Sequence, residues 1–177
     1  MIIYLKNIFH LNNIMENYND TNTPLFSFNG VNCMSRVVDI TDGDTIKVII
    51  NFKDEYYKII VRLNDIDTCE TKSKCDENKK LGIDAKKRLY NLITDKELDI
   101  DNNAIKKYIK NEFLNNCYLI YLKCYDFDKY GRVLGDIYKN ENDTISYSSI
   151  LVKERLAYIY GGKTKLTEME QIEKLKN

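Results

Sequence analysis

Histidine is almost missing from this chain of 177 residues: it occurs once, as His10. Its scarcity excludes serine–histidine hydrolysis, histidine-ligated zinc and nucleases that use a histidine base. There is no tryptophan and a single proline, Pro24. No run of about 20 uncharged apolar residues occurs, so no membrane-spanning helix is expected. Net charge is missing too, since 27 lysines and arginines balance 27 aspartates and glutamates. Without a basic coat the chain cannot grip a polyanion by bulk electrostatics, and any chemistry on nucleic acid must be local. The five cysteines, Cys33, Cys69, Cys75, Cys117 and Cys124, are odd in number and irregularly spaced. That argues against a disulfide framework and against a zinc knuckle. They read as reduced thiols, which leans the chain toward an intracellular setting. The segment Met1 to Met15 is broken by Lys6, Asn7, His10, Asn12 and Asn13 and makes a poor signal-peptide core.

What is present reads as one domain behind an arm. Residues 1–30 are rich in asparagine, lack periodicity and are expected to form a flexible arm; residues 31–177 form the folded domain. Val37, Val38 and Ile40 read as a strand that ends at Thr41-Asp42-Gly43-Asp44. Asp-Gly between two β-type runs signals a hairpin, with glycine free to take a positive φ. Ile46, Val48 and Ile50 share one face of a second strand, and Ile59, Val61 and Leu63 one face of a third. The period then changes to helical over 77–93, through Leu81, Ala85, Leu89 and Leu92. The polar stretch 95–116 suggests an extra helix. Strands follow over 117–125 and 133–138, a helix over 146–156, and from Leu166 an exposed charged helix. Five short strands with helices between the third and fourth give an α+β chain built on an OB-type barrel.

Three short clusters fall at strand ends: Asp42-Gly43-Asp44-Thr45, the run Arg62 to Thr71, and Asp126 to Arg132. Singly each has a plain reading, as a turn, a solvated acidic loop or helix cap, and a turn entering a strand. The lysines around 72–80 read as a solvated helix face. Together the clusters make a kit for phosphodiester hydrolysis without histidine. Asp44 and Asp67 offer hard oxygen ligands suited to calcium or magnesium, and the Thr68 carbonyl can add another. Glu70 can orient or deprotonate an attacking water. Arg62 and Arg132 can present planar forks to one phosphodiester. Only five of the basic residues are arginine, so these two stand out against a lysine-rich background.

In their order and spacing these words resemble the staphylococcal nuclease (thermonuclease) family over about 33–165. The matching residues are Asp-Gly-Asp-Thr at 42–45, Arg62, Asp-Thr-x-Glu-Thr at 67–71, Gly82, Asp-Lys-Tyr-Gly-Arg at 128–132, Leu151-Val152, Leu156-Ala157 and Tyr158-Ile159-Tyr160. The resemblance implies a five-stranded OB barrel with packed helices, and a calcium-dependent nuclease acting on DNA and RNA, preferably single-stranded, as a monomer. It implies Asp44, Asp67 and Thr68 as metal ligands, Glu70 as water activator and Arg62 and Arg132 as phosphate clamps. Lys129, Tyr130, Tyr158 and Tyr160 would line the nucleotide pocket, and the products would carry 3′-phosphate and 5′-hydroxyl ends.

Several positions depart from the family pattern. Cys69 replaces the usual proline, which predicts a looser loop and a thiol open to oxidation if exposed. Ser148-Ser149 replaces a common Asn-Glu pair and puts loop-anchoring bonds in doubt. Arg155 replaces a glycine, so the helix before it is expected to end differently. The 95–116 stretch is longer than the family norm and reads as an inserted helix. The rival reading is a catalytically weak OB module that binds nucleic acid or a protein partner. Such modules typically lose the acids or arginines that are intact here. An unrelated β-rich interaction domain is a third possibility.

Overall fold

A computed structural model describes residues 15–162 and 164–176. Five strands close into a barrel in the order β1-β2-β3-β6-β5: β1 (Asn32–Asp42), β2 (Thr45–Phe52), β3 (Glu55–Leu63), β5 (Tyr118–Phe127) and β6 (Val133–Tyr138). All barrel pairings are antiparallel except β3 with β6. Two short strands, β4 (Ile66–Asp67) and β7 (Tyr158–Ile159), pair outside it. Helices α1 (Asp76–Thr94), α2 (Ile105–Asn115), α3 (Tyr147–Lys153) and α4 (Glu168–Lys176) pack around the barrel. The mixed five-stranded barrel with helices is the OB architecture anticipated from the sequence.

The barrel interior follows from two-residue periodicity. Ile46, Val48 and Ile50 of β2, Val61 and Leu63 of β3, and Ile120 and Leu122 of β5 are fully buried. On β1 the inward residues are Val37 and Ile40, three apart, because register shifts interrupt the pairing with β2. Such shifts bend a strand and re-aim its side chains. The β2–β3 turn, Lys53-Asp54, has φ of 52° and 63° without any glycine.

Helix α1 buries Gly82, Ala85, Lys86, Leu89, Tyr90 and Ile93, the i, i+3, i+4 face that the sequence presents. Lys86 keeps its charge group satisfied by donating to the Thr41 carbonyl at 2.8 Å. Helix α2 lies within the stretch read as an insertion and buries Ile105, Ile109 and Phe113. No helix among the described residues is long and apolar enough to cross a membrane.

Three expectations need correction. The terminal helix α4 is docked rather than exposed, with Gln171, Ile172 and Leu175 buried. The end of the supposed arm is anchored: Phe28 is buried, and its ring meets Phe52 and Phe127 edge-on. Residues 1–14 of that arm, including His10, lie outside the described residues. Helix α3 does turn at Arg155, which takes φ of 59° despite its side chain. The Leu156 N–H reaches the Leu151 carbonyl and the Arg155 N–H that of Val152, the bonding of a Schellman cap.

Candidate active site

The floor of the site is built where the β1–β2 turn, the end of β3 and β4 meet. Thr45 pairs with Arg62 across the β2–β3 ladder, and the Asp44 carbonyl accepts from the Leu63 N–H at 2.8 Å. These bonds put Asp44 beside Arg62. The β4–β7 pair fixes Asp67 opposite Tyr158. Gly43 has no positive φ, contrary to the hairpin expectation. Glycine is needed there for space, because a Cβ would lie 2.6 Å from the Ala85 methyl of α1.

Arg62 is the centre of the arrangement. Its Nη1 donates to Asp44 Oδ2, and its Nη2 to Asp67 Oδ1 at 2.9 Å and to the Ile66 carbonyl at 3.0 Å. The Thr45 hydroxyl donates to the other Asp44 oxygen at 2.8 Å. Asp44 is 5% exposed and Asp67 2%. Burial pushes the Asp44 carboxyl above the usual range, against the pull of Arg62 and Thr45. Burial also works against the Arg62 charge, but Asp44 and Asp67 together hold it above its ordinary value. The guanidinium lies 5.7 Å from the Tyr160 ring centroid, in cation–π range.

Above this floor opens a cleft of about 1160 Å³. Glu70 and Thr68 enter it from the loop after β4, and Lys129, Tyr130 and Arg132 from the β5–β6 connection. Asp128 organises that connection. Its Oδ1 accepts the Tyr130 and Arg132 N–H groups, and its Oδ2 takes the Arg132 guanidinium at 2.6 Å. Tyr130 is 73% exposed, with Lys129 and Arg132 over its ring.

The sequence-selected residues Asp44, Arg62, Asp67, Thr68, Glu70, Lys129, Tyr130, Arg132 and Tyr160 therefore share one cleft. Tyr158 does not: it is buried below, where its hydroxyl donates to Asp67 Oδ2. Burial and that carboxylate push its hydroxyl far above the usual tyrosine range. Cys69 is 1% exposed, and burial pushes its thiol up to about 11, so it is shielded rather than open to oxidation. The Ser148 hydroxyl is buried without a partner among the described residues, whereas Ser149 bonds Ser146, the cap of α3.

Lys165 escaped sequence reasoning. Its ammonium donates to Glu70 Oε1 at 2.5 Å and lies 3.4 Å from Asp67 Oδ2. Burial opposes its charge, but Glu70 and Asp67 hold it above the ordinary lysine range. It is 95 positions from Glu70 and sits in no motif, so only the fold reveals it.

A family model described as staphylococcal nuclease homologue matches residues 60–177. The chain belongs to the staphylococcal nuclease family. The match takes in Arg62, Asp67, Thr68, Glu70 and Arg132, while the Asp44 turn lies before it. No curated protein matches the chain. Membership implies a nuclease-type domain, the family being one of phosphodiester-hydrolysing enzymes that typically use calcium. Among the described residues of this member, no group of three or more His, Cys, Asp or Glu side chains converges as a ready metal cage. The donor chemistry nevertheless fits one hard cation. The donors are all oxygens, and among the described residues Asp44, Asp67 and Glu70 form ion pairs with Arg62 and Lys165 only, three acids against two cations.

Proposed function

We propose that the chain is a calcium-dependent nuclease that hydrolyses DNA, RNA or both by attack of water on phosphorus, leaving 3′-phosphate and 5′-hydroxyl ends. The observation that carries this reading is the Asp44–Asp67 pair, two buried carboxylates held on two nitrogens of one guanidinium at the floor of an open cleft. Burying two like charges costs several kcal/mol for each ion before compensation. A fold seeking only stability would favour apolar residues there.

Asp44, Asp67 and the Thr68 carbonyl would hold the ion. Bound there, it would supply positive charge to the phosphoryl oxygens and favour ionisation of water. Glu70 stands at the rim with its carboxylate more than half exposed, where it can take a proton from water. Lys165 restrains that carboxylate, so substrate and ion must compete with its ammonium. Arg62 now bonds one oxygen each of Asp44 and Asp67, and Arg132 bonds one oxygen of Asp128; phosphate oxygens are acceptors of the same kind for these guanidinium donors. Their hydrogen bonds strengthen as negative charge gathers on the phosphoryl group, which is where they lower the barrier. Lys129, Tyr130 and Tyr160 flank the phosphate path. Exposed tyrosine rings stack on unpaired bases, which favours single strands.

End analysis of digested single-stranded DNA and RNA tests the chemistry. Products that need phosphatase treatment at the 3′ end before extension fit the reading, and 5′-phosphate ends sink it.

A further inference from the structure

Below the cleft, four hydrogen bonds run in one direction from the backbone of Glu70 to the carboxylate of Asp67. The Glu70 N–H donates to Asn78 Oδ1 at 3.2 Å. Asn78 Nδ2 donates to Gln171 Oε1 at 2.8 Å. Gln171 Nε2 donates to the Tyr158 hydroxyl oxygen at 3.2 Å. Tyr158 gives its proton to Asp67 Oδ2. Asn78, Gln171 and Tyr158 are all buried, and they come from α1, α4 and β7.

The direction is forced at both ends, because a backbone N–H only donates and a carboxylate only accepts. Asn78 must therefore turn its oxygen to Glu70 and its NH₂ toward Gln171. Gln171 must present its oxygen to Asn78, which leaves its NH₂ for Tyr158 and for the Leu166 carbonyl, 3.2 Å away. Tyr158 accepts that donation, so its one proton is left for Asp67. Reversing any member leaves a buried donor facing a donor, or an acceptor facing an acceptor. A fully satisfied buried network costs little and holds one geometry; a broken one is expensive.

We propose that Asn78, Gln171 and Tyr158 are positioning residues that hold Asp67 and Glu70 at their working separation, with α4 as the rigid member behind them. The roles of Asp67 and Glu70 rest on the nuclease reading. The network begins on the main-chain N–H of Glu70 and ends on the carboxylate of Asp67, so it ties the backbone that carries one acid of the site to the side chain of the other. None of the three touches the cleft, so none is a catalytic residue.

Two variants test the bridge in the full chain. Tyr158→Phe removes the hydroxyl, and with it both the donation to Asp67 and the acceptor for Gln171 Nε2. Gln171→Glu keeps the shape but supplies no donor to Tyr158, whose proton is then drawn away from Asp67. Each is expected to lower kcat on single-stranded DNA about 10–100-fold, as loss of a partner that orients a metal ligand does. KM should stay near wild type. Tyr158→Phe should also weaken Tb³⁺ binding, read by luminescence as a calcium probe without any turnover. Circular dichroism at the assay temperature gives the folded fraction. Folded variants with wild-type kcat and wild-type Tb³⁺ affinity overturn the bridge. So does a loss of rate that only follows the unfolded fraction. A wild-type chain that neither binds Tb³⁺ nor cleaves overturns the nuclease reading itself, and the bridge falls with it.

Discussion

A Cβ on Gly82 would lie 2.5 Å from the carbonyl oxygen of Cys69 and 2.8 Å from the carbonyl carbon of Glu70. Helix α1 is thus pressed directly onto the backbone that carries the proposed base. Cys69, in the place of a proline, is held by this contact, by its own burial and by the Asn78 amide at 3.3 Å. The loop is braced from outside rather than by a stiff ring.

Gly82→Ala therefore has a diagnostic sign. In an unconstrained helix the change stabilises by about 1 kcal/mol. Here the added methyl meets backbone, and overpacking should destabilise the fold by about 1–3 kcal/mol. The Glu70 loop should shift with it, so kcat should fall as well. Urea unfolding beside single-turnover kinetics checks both; a more stable, fully active variant would show that the contact relaxes freely.

Arg132→Lys keeps the charge but loses the fork that Asp128 now orients. If Arg132 grips the phosphoryl group in the transition state, the loss should approach the roughly 3–4 kcal/mol of a deleted oxyanion-hole donor, read as a fall in kcat. A wild-type rate would remove Arg132 from the site.

Arg155→Gly should stabilise the fold by about 0.5–1 kcal/mol. The left-handed conformation costs a residue with a side chain roughly 1–2 kcal/mol, partly offset by the larger unfolded-state entropy of glycine. The exposed bond from Arg155 to the Lys176 carbonyl is a small loss against this. Thermal unfolding measures the difference, and a lower melting temperature would contradict it.

Much of the molecule was legible before folding, for reasons the structure makes plain. Ile46, Val48 and Ile50 alternate because one face of β2 is the barrel interior, and α1 shows a helical stripe because one face covers that barrel. The cleft residues were legible because the acid and arginine words sit at strand ends, where the chain must turn anyway. What stayed hidden depends on long-range geometry. The β4–β7 pair has two residues on each side, too few for any period, yet it decides that Tyr158 lies under Asp67 instead of lining the cleft. Asn78 and Gln171 look like ordinary helix residues until the fold brings them within 2.8 Å. Gly43 reads as a turn glycine, although its neighbour Ala85 is what excludes a side chain. Arg155 keeps the turn that a glycine would have made easy.

The most direct measurement is the hydrolysis rate of single-stranded DNA by the wild-type chain and by Glu70→Gln, each in calcium and in excess EDTA. The wild type should cut only with calcium. Glu70→Gln should bind Tb³⁺ almost as well as wild type while its rate falls steeply, because a base and not a ligand has been lost. Cleavage by the wild type that persists unchanged in EDTA would contradict the proposed mechanism outright.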